Sequence, residues 1–312
     1  MIYRELGKTG LRVSRLCFGT LTIGPGQKNL DVSRGSYLIS YALELGINFF
    51  DTAELYQTYQ YLRPVIKNKR GEMIIASKSY AATAGEMRKS LQKCLQELNV
   101  EFIDVFLMHE QESEFTLRGH WEAWLELCRA KKEGIVRAIG ISTHSPQGVR
   151  AGAKIPELDV IHPLVNKAGI GIIDGNLQDM LDAISEAAGS GKGIYAMKAL
   201  AGGHLFRVAG EALKFVLDIP GVDSVAVGMQ SEAEINYNAA IVSGTAPPEK
   251  LILPETVRKL HIEDWCQGCN DCVAKCPRQA LALVNGKVAL VGECILCGYC
   301  ALVCRNFCLK VL

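Results

Sequence analysis

Four side chains with complementary proton chemistry stand at the ends of apolar runs. NFFDTAELY (48–56) carries Asp51 and Tyr56, MIIASKSY (73–80) carries Lys78, and IDVFLMHE (103–110) carries His109. A carboxyl or phenol that emerges from a buried run must find a partner, because an unpaired polar group away from water is costly. Singly, each has an ordinary explanation, and a strand-end Asp is most often a helix cap. Together they make a proton-transfer set in which an ammonium favours a phenolate and a carboxylate holds the ammonium charged. A second concentration of chemistry lies near the carboxyl end, where Cys266, Cys269, Cys272 and Cys276 are followed by Cys294, Cys297, Cys300 and Cys304. Thiols clustered in this way, with no secretion signal, point to metal ligation before disulfides.

The elements that must position the first set alternate regularly. Apolar runs predict strands at 15–20, 48–53, 73–80, 103–109, 136–142, 160–166, 193–200 and 224–229. Segments of helical period lie between them. Met87, Leu91, Cys94, Leu95 and Leu98 share one face behind a Thr83/Glu86 capping box, and Trp124, Leu125 and Cys128 predict a second apolar face. Ser145-Pro146 reads as an N-cap with proline at the first helical position, and Ser231/Glu234 as another capping box. Residues 1–13 predict a short hairpin turning at 7–10. Eight strands, each followed by a helical stretch, have the rhythm of a (β/α)8 TIM barrel, in which chemistry sits at the carboxyl ends of the strands. An open doubly wound sheet would carry a Gly-rich turn after its first strand, and Phe18-Gly19-Thr20 carries none. The expected organisation is therefore a barrel over 1–245, a proline-bearing linker over 246–260 and a small cysteine domain over 261–312.

Gly19-Thr20, GINFFDTAELY, the strand ending in Lys78 and the next ending in His109 resemble the aldo-keto reductases. GISTHS, YAMKALAGGHL and GMQSEAEINYN continue the likeness over about 1–243. The resemblance implies hydride transfer from NADP(H) or NAD(H) to a small-molecule carbonyl. His109 would orient and polarise the carbonyl oxygen, and Tyr56 would protonate the alkoxide. Lys78 would lower the phenol pKa from about 10, and Asp51 would aim Lys78. By position Gly19, Thr20, Ser142, Thr143, His162, Asn166, Gln230, Ser231, Glu234 and Asn238 match cofactor contacts. Thr143, His162 and Gln230 depart from the residues usual there, Gln230 replacing a phosphate-binding cation. A flavin or a pocket without cofactor is also compatible with these departures.

The spacing CxxCxxCxxxCP and its repeat resemble bacterial two-cluster ferredoxins, with Arg305 where proline is usual. The resemblance implies a small α+β domain with two [4Fe–4S] clusters, the fourth ligand of each run crossing to the other cluster. Cys266, Cys269, Cys272 and Cys304 would hold one, and Cys276, Cys294, Cys297 and Cys300 the second. Cys17, Cys94 and Cys128 are expected to be core thiols and Cys308 a packing residue, while His120, His144, His204 and His261 receive no role. The leading expectation is an iron–sulfur oxidoreductase whose clusters relay electrons. Single electrons and hydride do not interconvert without an intermediary, and no flavin motif is evident. The alternatives are a redox-sensing protein using the barrel as a docking scaffold, and an ordinary NADP-dependent reductase with structural clusters. A ferredoxin or other redox protein is the expected macromolecular partner. Composition narrows the rest: 312 residues, 49% apolar and 21% charged, with net charge +1 and no block of one sign, give no sign of nucleic-acid or membrane binding. MIYRELGKTG lacks an apolar leader, so the expected location is cytoplasmic.

Overall fold

Eight short strands of mostly buried residues close into a parallel barrel in the computed structural model, which describes residues 1–247, 259–294 and 298–311. In chain order they are Leu16–Gly19, Phe49–Asp51, Ile74–Ser79, Ile103–Met108, Val136–Thr143, Val160–Pro163, Gly193–Ala196 and Ser224–Gly228. Closure comes from the eighth against the first, with Val225 opposite Leu16 and Gly228 opposite Gly19. Runs such as IDVFLM, buried at every position, are what a strand covered on both faces requires. Two apolar layers result. Leu16, Phe18, Phe50, Ile75, Phe106, Ile139, Ile141 and Ile161 pack outward against the helices. Cys17, Phe49, Ala76, Val105, Leu107, Ala138, Val160 and Tyr195 fill the interior together with Leu6, Leu11 and Val13.

Those last three belong to the predicted amino-terminal hairpin, Tyr3–Glu5 paired with Arg12–Ser14, which plugs the bottom of the barrel. Its turn passes so close to the seventh strand that a Cβ on Gly7 (φ 54°) would stand 2.2 Å from the Gly193 nitrogen. With the bottom sealed, a substrate can reach the interior groups only from the carboxyl ends of the strands.

Apart from the fifth, which runs one residue further to Thr143, the observed strands are shorter than the predicted runs, because barrel pairing ends where the loops lift away. The Thr83/Glu86 capping box forms, Thr83 accepting from the Glu86 nitrogen. Replacing Thr83 with Ala is expected to cost about 1 kcal/mol, read as a lower denaturant midpoint at unchanged slope. The second box forms only by half. Ser231 accepts from the Glu234 nitrogen, but the Glu234 carboxylate takes the Gln230 N–H instead of that of Ser231. On helix Trp121–Lys132 the predicted face is corrected: Leu125 is 54% exposed, and Ala123, Trp124, Leu127 and Ala130 are buried. The true stripe is Trp124-Leu127 at i, i+3, and Leu125 lies one residue out of phase.

The cysteine segment is built from two small sheets and two short helices, Asp271–Lys275 and Tyr299–Leu302. Leu260–Ile262 pairs antiparallel with Leu309–Val311, and Leu281–Val284 with Lys287–Leu290. Asn285 and Gly286, both at positive φ, make the tight turn of the second pair. This segment packs on the barrel mouth through Phe307, whose ring lies where a Cβ on Gly171 or Gly202 would be, 2.2 and 2.4 Å from those ideal positions. Most of the expected linker falls at 248–258, outside the described residues, and so does Cys297.

Candidate active site

The second and third strands bring the first two members of the set together. Lys78 is fully buried and its Nζ donates to Asp51 Oδ1 (2.7 Å), Asp51 Oδ2 (2.8 Å) and the Thr52 carbonyl (2.8 Å). An ammonium has three N–H groups, so all of them are used. Asp51 takes a further bond from the Tyr195 hydroxyl (3.0 Å), reaching across the barrel from the seventh strand. A threonine chain braces the same strand end: Thr20 Oγ1 donates to the Asp51 carbonyl and shares hydrogen bonds through Thr58 with Thr52. A buried pair of this kind is neutral overall and costly to split, because removing either partner strands a charge without solvent.

Tyr56 sits on the single turn Glu54–Tyr56, with Lys78 Nζ 4.9 Å from its ring centre and the His109 ring 5.9 Å away, edge to face. All four members of the predicted set therefore meet at one mouth. The expected effect of Lys78 on the phenol is not what this arrangement gives. Burial, and next the Asp51 carboxylate, push the Tyr56 phenol well above its ordinary value. The ammonium faces the ring with no N–H left for the oxygen, so Tyr56 is a neutral proton donor, not a primed phenolate.

His109 follows the fourth strand, its backbone N–H bonded to the Ser79 carbonyl and its ring stacked at 4.3 Å on Tyr80. Burial, then the Lys78 charge, hold the imidazole well below its usual pKa, so it is neutral at physiological pH. Its Nδ1 is buried and has no hydrogen-bond partner among the described residues. Neutral imidazoles surround it. His162 donates from Nδ1 to the Tyr195 carbonyl and stacks on that ring at 3.8 Å; burial pushes its pKa down to about 4. Burial likewise depresses His144, which received no role from the sequence. Its backbone N–H is held by Glu112, and its Nε2 lies 3.9 Å from Glu110.

Glu112 itself is pushed up to about 7 by burial. A carboxyl with a raised folded pKa takes up a proton on folding between its ordinary 4.5 and about 7. Its contribution is intact below that window and is lost as pH rises through it. Glu112→Gln is expected to flatten the fall in melting temperature across this range, and an unchanged slope would remove Glu112 as its source.

The expected cofactor positions fall in two groups. Gly19 and Thr20 end the first strand, and Ser142, Thr143 and His162 lie side by side on the fifth and sixth, with Ser142 opposite His162. Here Ser142 accepts from the Glu110 nitrogen, and Thr143 donates to Glu112. Asn166 spends its amide on the loop at 168–170. Gln230, Ser231, Glu234 and Asn238 form the second group after the eighth strand, where the Gln230 side chain donates to the Thr22 carbonyl and Asn238 is buried.

In the tail, Cys266, Cys269, Cys272 and Cys304 line one cavity, which brings three neighbouring thiols and one distant thiol to a common space. Backbone N–H groups already point at the sulfurs, from Val288 to Cys266, Cys308 to Cys304 and Ala280 to Cys276. Gly268 (φ 67°) lets the chain wrap there, since a Cβ would meet the Gly286 oxygen at 2.2 Å. Thiol donors with amide N–H bonds to sulfur fit an iron–sulfur cluster. Cys276, Cys294 and Cys300 remain for the second site with Cys297. Cys17 and Cys94 are buried core thiols, as expected, while Cys128 is only half-buried against the core; Cys308 packs in the tail's apolar cluster, as expected, and also lines the first cavity.

Fold and site together define a (β/α)8 barrel with a polar mouth and a cysteine-rich tail. The aldo/keto reductase family matches residues 15–211 and a 4Fe-4S dicluster domain matches 258–305; the chain belongs to the aldo/keto reductase family. It is 28% identical over 166 residues to the uncharacterized oxidoreductase YqkF of Bacillus subtilis, covering 48% of this chain and 52% of that one. It is 26% identical over 171 residues to the methylglyoxal reductase DkgA of Escherichia coli K12, covering 52% and 62%. The chain thus spans about half to two thirds of the length of these relatives. A Pseudomonas aeruginosa structure described as an aldo-keto reductase superposes with TM-score 0.66 at 28% identity, over 78% of this chain and 94% of that one. No helix among the described residues is long and apolar enough to cross a membrane.

Proposed function

We propose that the barrel mouth reduces a small-molecule carbonyl and that two [4Fe–4S] clusters in the tail exchange single electrons with that reaction through a carrier able to take one or two electrons, of the flavin class. The observation that carries the reading is the Lys78–Asp51 pair with Tyr56 and His109 at one mouth. A carbonyl oxygen placed between Tyr56 and His109 meets a neutral phenol O–H and a neutral imidazole, and negative charge developing there is stabilised by both. The alkoxide takes its proton from Tyr56, which remains protonated until then because burial disfavours the phenolate. Lys78 and Asp51 keep Tyr56 in place without supplying the proton.

A nicotinamide bound at the mouth supplies the hydride. Gly19, Thr20, Ser142, Thr143, His162 and Asn166 would hold its ring end, and Gln230, Ser231, Glu234 and Asn238 its adenosine end. The segment from Met229 to Asn238 carries two glutamates and no Lys or Arg, which favours the diol of NAD(H) over a 2′-phosphate. The clusters, held by Cys266, Cys269, Cys272 and Cys304 and by Cys276, Cys294, Cys297 and Cys300, supply single electrons.

Anaerobic addition of NADH, then NADPH, to the iron-loaded protein tests the coupling. The expected result is bleaching of the cluster absorption, with NADH the better reductant. Aldehyde turnover without bleaching would make the clusters structural. Neither response would remove the nicotinamide and favour an external redox protein as donor.

A further inference from the structure

Lys198 is a half-buried cation at the barrel mouth with no partner among the described residues. It follows the seventh barrel strand in the left-handed region (φ 58°), a conformation seldom adopted by a long side chain, which lifts it into the mouth. Its Nζ lies 4.0 Å above the centre of the Phe307 ring, so the tail closes over it. The buried lysines among the described residues are all satisfied. Lys78 has Asp51 and the Thr52 carbonyl, Lys192 the carbonyls of Ile155 and Leu158, and Lys310 the Glu263 carboxylate. Lys198 Nζ has no hydrogen-bond acceptor and no ion pair among the described residues. Half-buried, the ammonium is partly desolvated yet reachable by a ligand, and one aromatic face offsets only part of the lost hydration.

Its charge reaches the reacting groups. The ammonium depresses all three imidazoles of the mouth, His109, His144 and His162, after burial and other causes have acted. The nearby carboxylates are occupied elsewhere. Glu263 is held by Lys310 and lies 3.1 Å from His261, Glu110 lies beside His144 and Tyr80, and Glu112 accepts from Thr143 and His144. A second unsatisfied group points the same way: His109 Nδ1 is buried without a partner. The mouth therefore has a surplus of unmatched polar groups, one of them a full positive charge.

We propose that Lys198 binds the carboxylate of an anionic substrate, an oxo acid whose carbonyl is presented to Tyr56 and His109. This rests on the carbonyl-reductase reading for its second half, while the carboxylate contact can be measured without turnover. The ligand's negative charge supplies a partner that no described residue offers, beside the aromatic face of Phe307. Burial lowers the Lys198 pKa only to about 8, so the ammonium is charged at neutral pH.

Calorimetric titration of the iron-loaded full chain with oxamate and with levulinate tests the contact, using the neutral amides oxamide and levulinamide as controls. At least one acid is expected to bind at least tenfold tighter than its amide. Lys198→Met should remove that preference, and Lys198→Arg should restore most of it. Cluster absorption and far-UV circular dichroism check that both variants are folded. The proposal is overturned if neither acid binds better than its amide, or if the preference persists in the Met variant. The two readings fail separately. Lys198-independent binding with turnover abolished in Tyr56→Phe leaves the reductase standing alone. Lys198-dependent binding with turnover retained in that variant leaves the anion site and removes the acid.

Discussion

Tyr56→Phe is expected to lower kcat for carbonyl reduction by about a thousandfold, with iron content and cluster absorption unchanged. The size follows from the role of the hydroxyl. It combines a transferable proton with a position beside both His109 and Lys78, and Phe keeps the ring that packs against Lys78 while deleting that proton. The neighbours cannot take over: Lys78 has committed its three N–H groups to Asp51 and Thr52, and His109 is neutral. KM should move little, because the lost interaction strengthens only as charge develops on oxygen. The pH profile of the wild-type enzyme gives an independent check. The Tyr56 pKa is raised above 10 and that of His109 lowered below 6.5, so neither changes charge in between. Lys198, lowered to about 8, does titrate there, so a fall in kcat between those values that persists in Lys198→Met would assign the proton to another group. Retained turnover in Tyr56→Phe would do so directly.

Much of this site was readable in the chain because strand ends impose it. An apolar run ending in Lys, Asp or His announces both its burial and its polar tip, and a parallel barrel gathers such tips at one end. What could not be read is what depends on contacts across the barrel. Tyr195 looks like one more apolar strand residue, yet its hydroxyl crosses to Asp51. His144 and Lys198 sit in loops whose path is set by packing, and neither has a local pattern that marks it. Leu125 illustrates a different limit. Three apolar residues at 124, 125 and 128 admit more than one helical phase, and only the surface beneath the helix chooses between them. The direction of the Tyr56 shift was misjudged for the same reason. Adjacency to Lys78 was inferable, but not that Asp51 and Thr52 would use every N–H.

The largest structural effect is expected from Cys269→Ala, which should lose about half of the bound iron and weaken the fold of the tail without disturbing the barrel. Cys269 shares a cavity with Cys266, Cys272 and Cys304, so its removal takes a ligand from one cluster only. The tail has little else to hold it. Its apolar cluster is small, and several members are the cysteines themselves, Cys272, Cys300 and Cys304 among them. By contrast, the barrel core spans every strand and does not include tail residues. Cys308 lines the same cavity and is a spare thiol, so Cys269→Ala/Cys308→Ala should be made alongside. Full iron in both variants would refute the assignment of three neighbouring ligands and one distant ligand; full iron in the single variant alone would show Cys308 serving as a substitute. Loss of one cluster should also be felt at the mouth. Phe307 is three residues from Cys304 and packs against Gly171, Gly202 and Lys198, so a loosened tail uncovers the lysine. Cluster occupancy and closure of the site are then one equilibrium, and the oxamate affinity of the Cys269 variant should fall with its iron content.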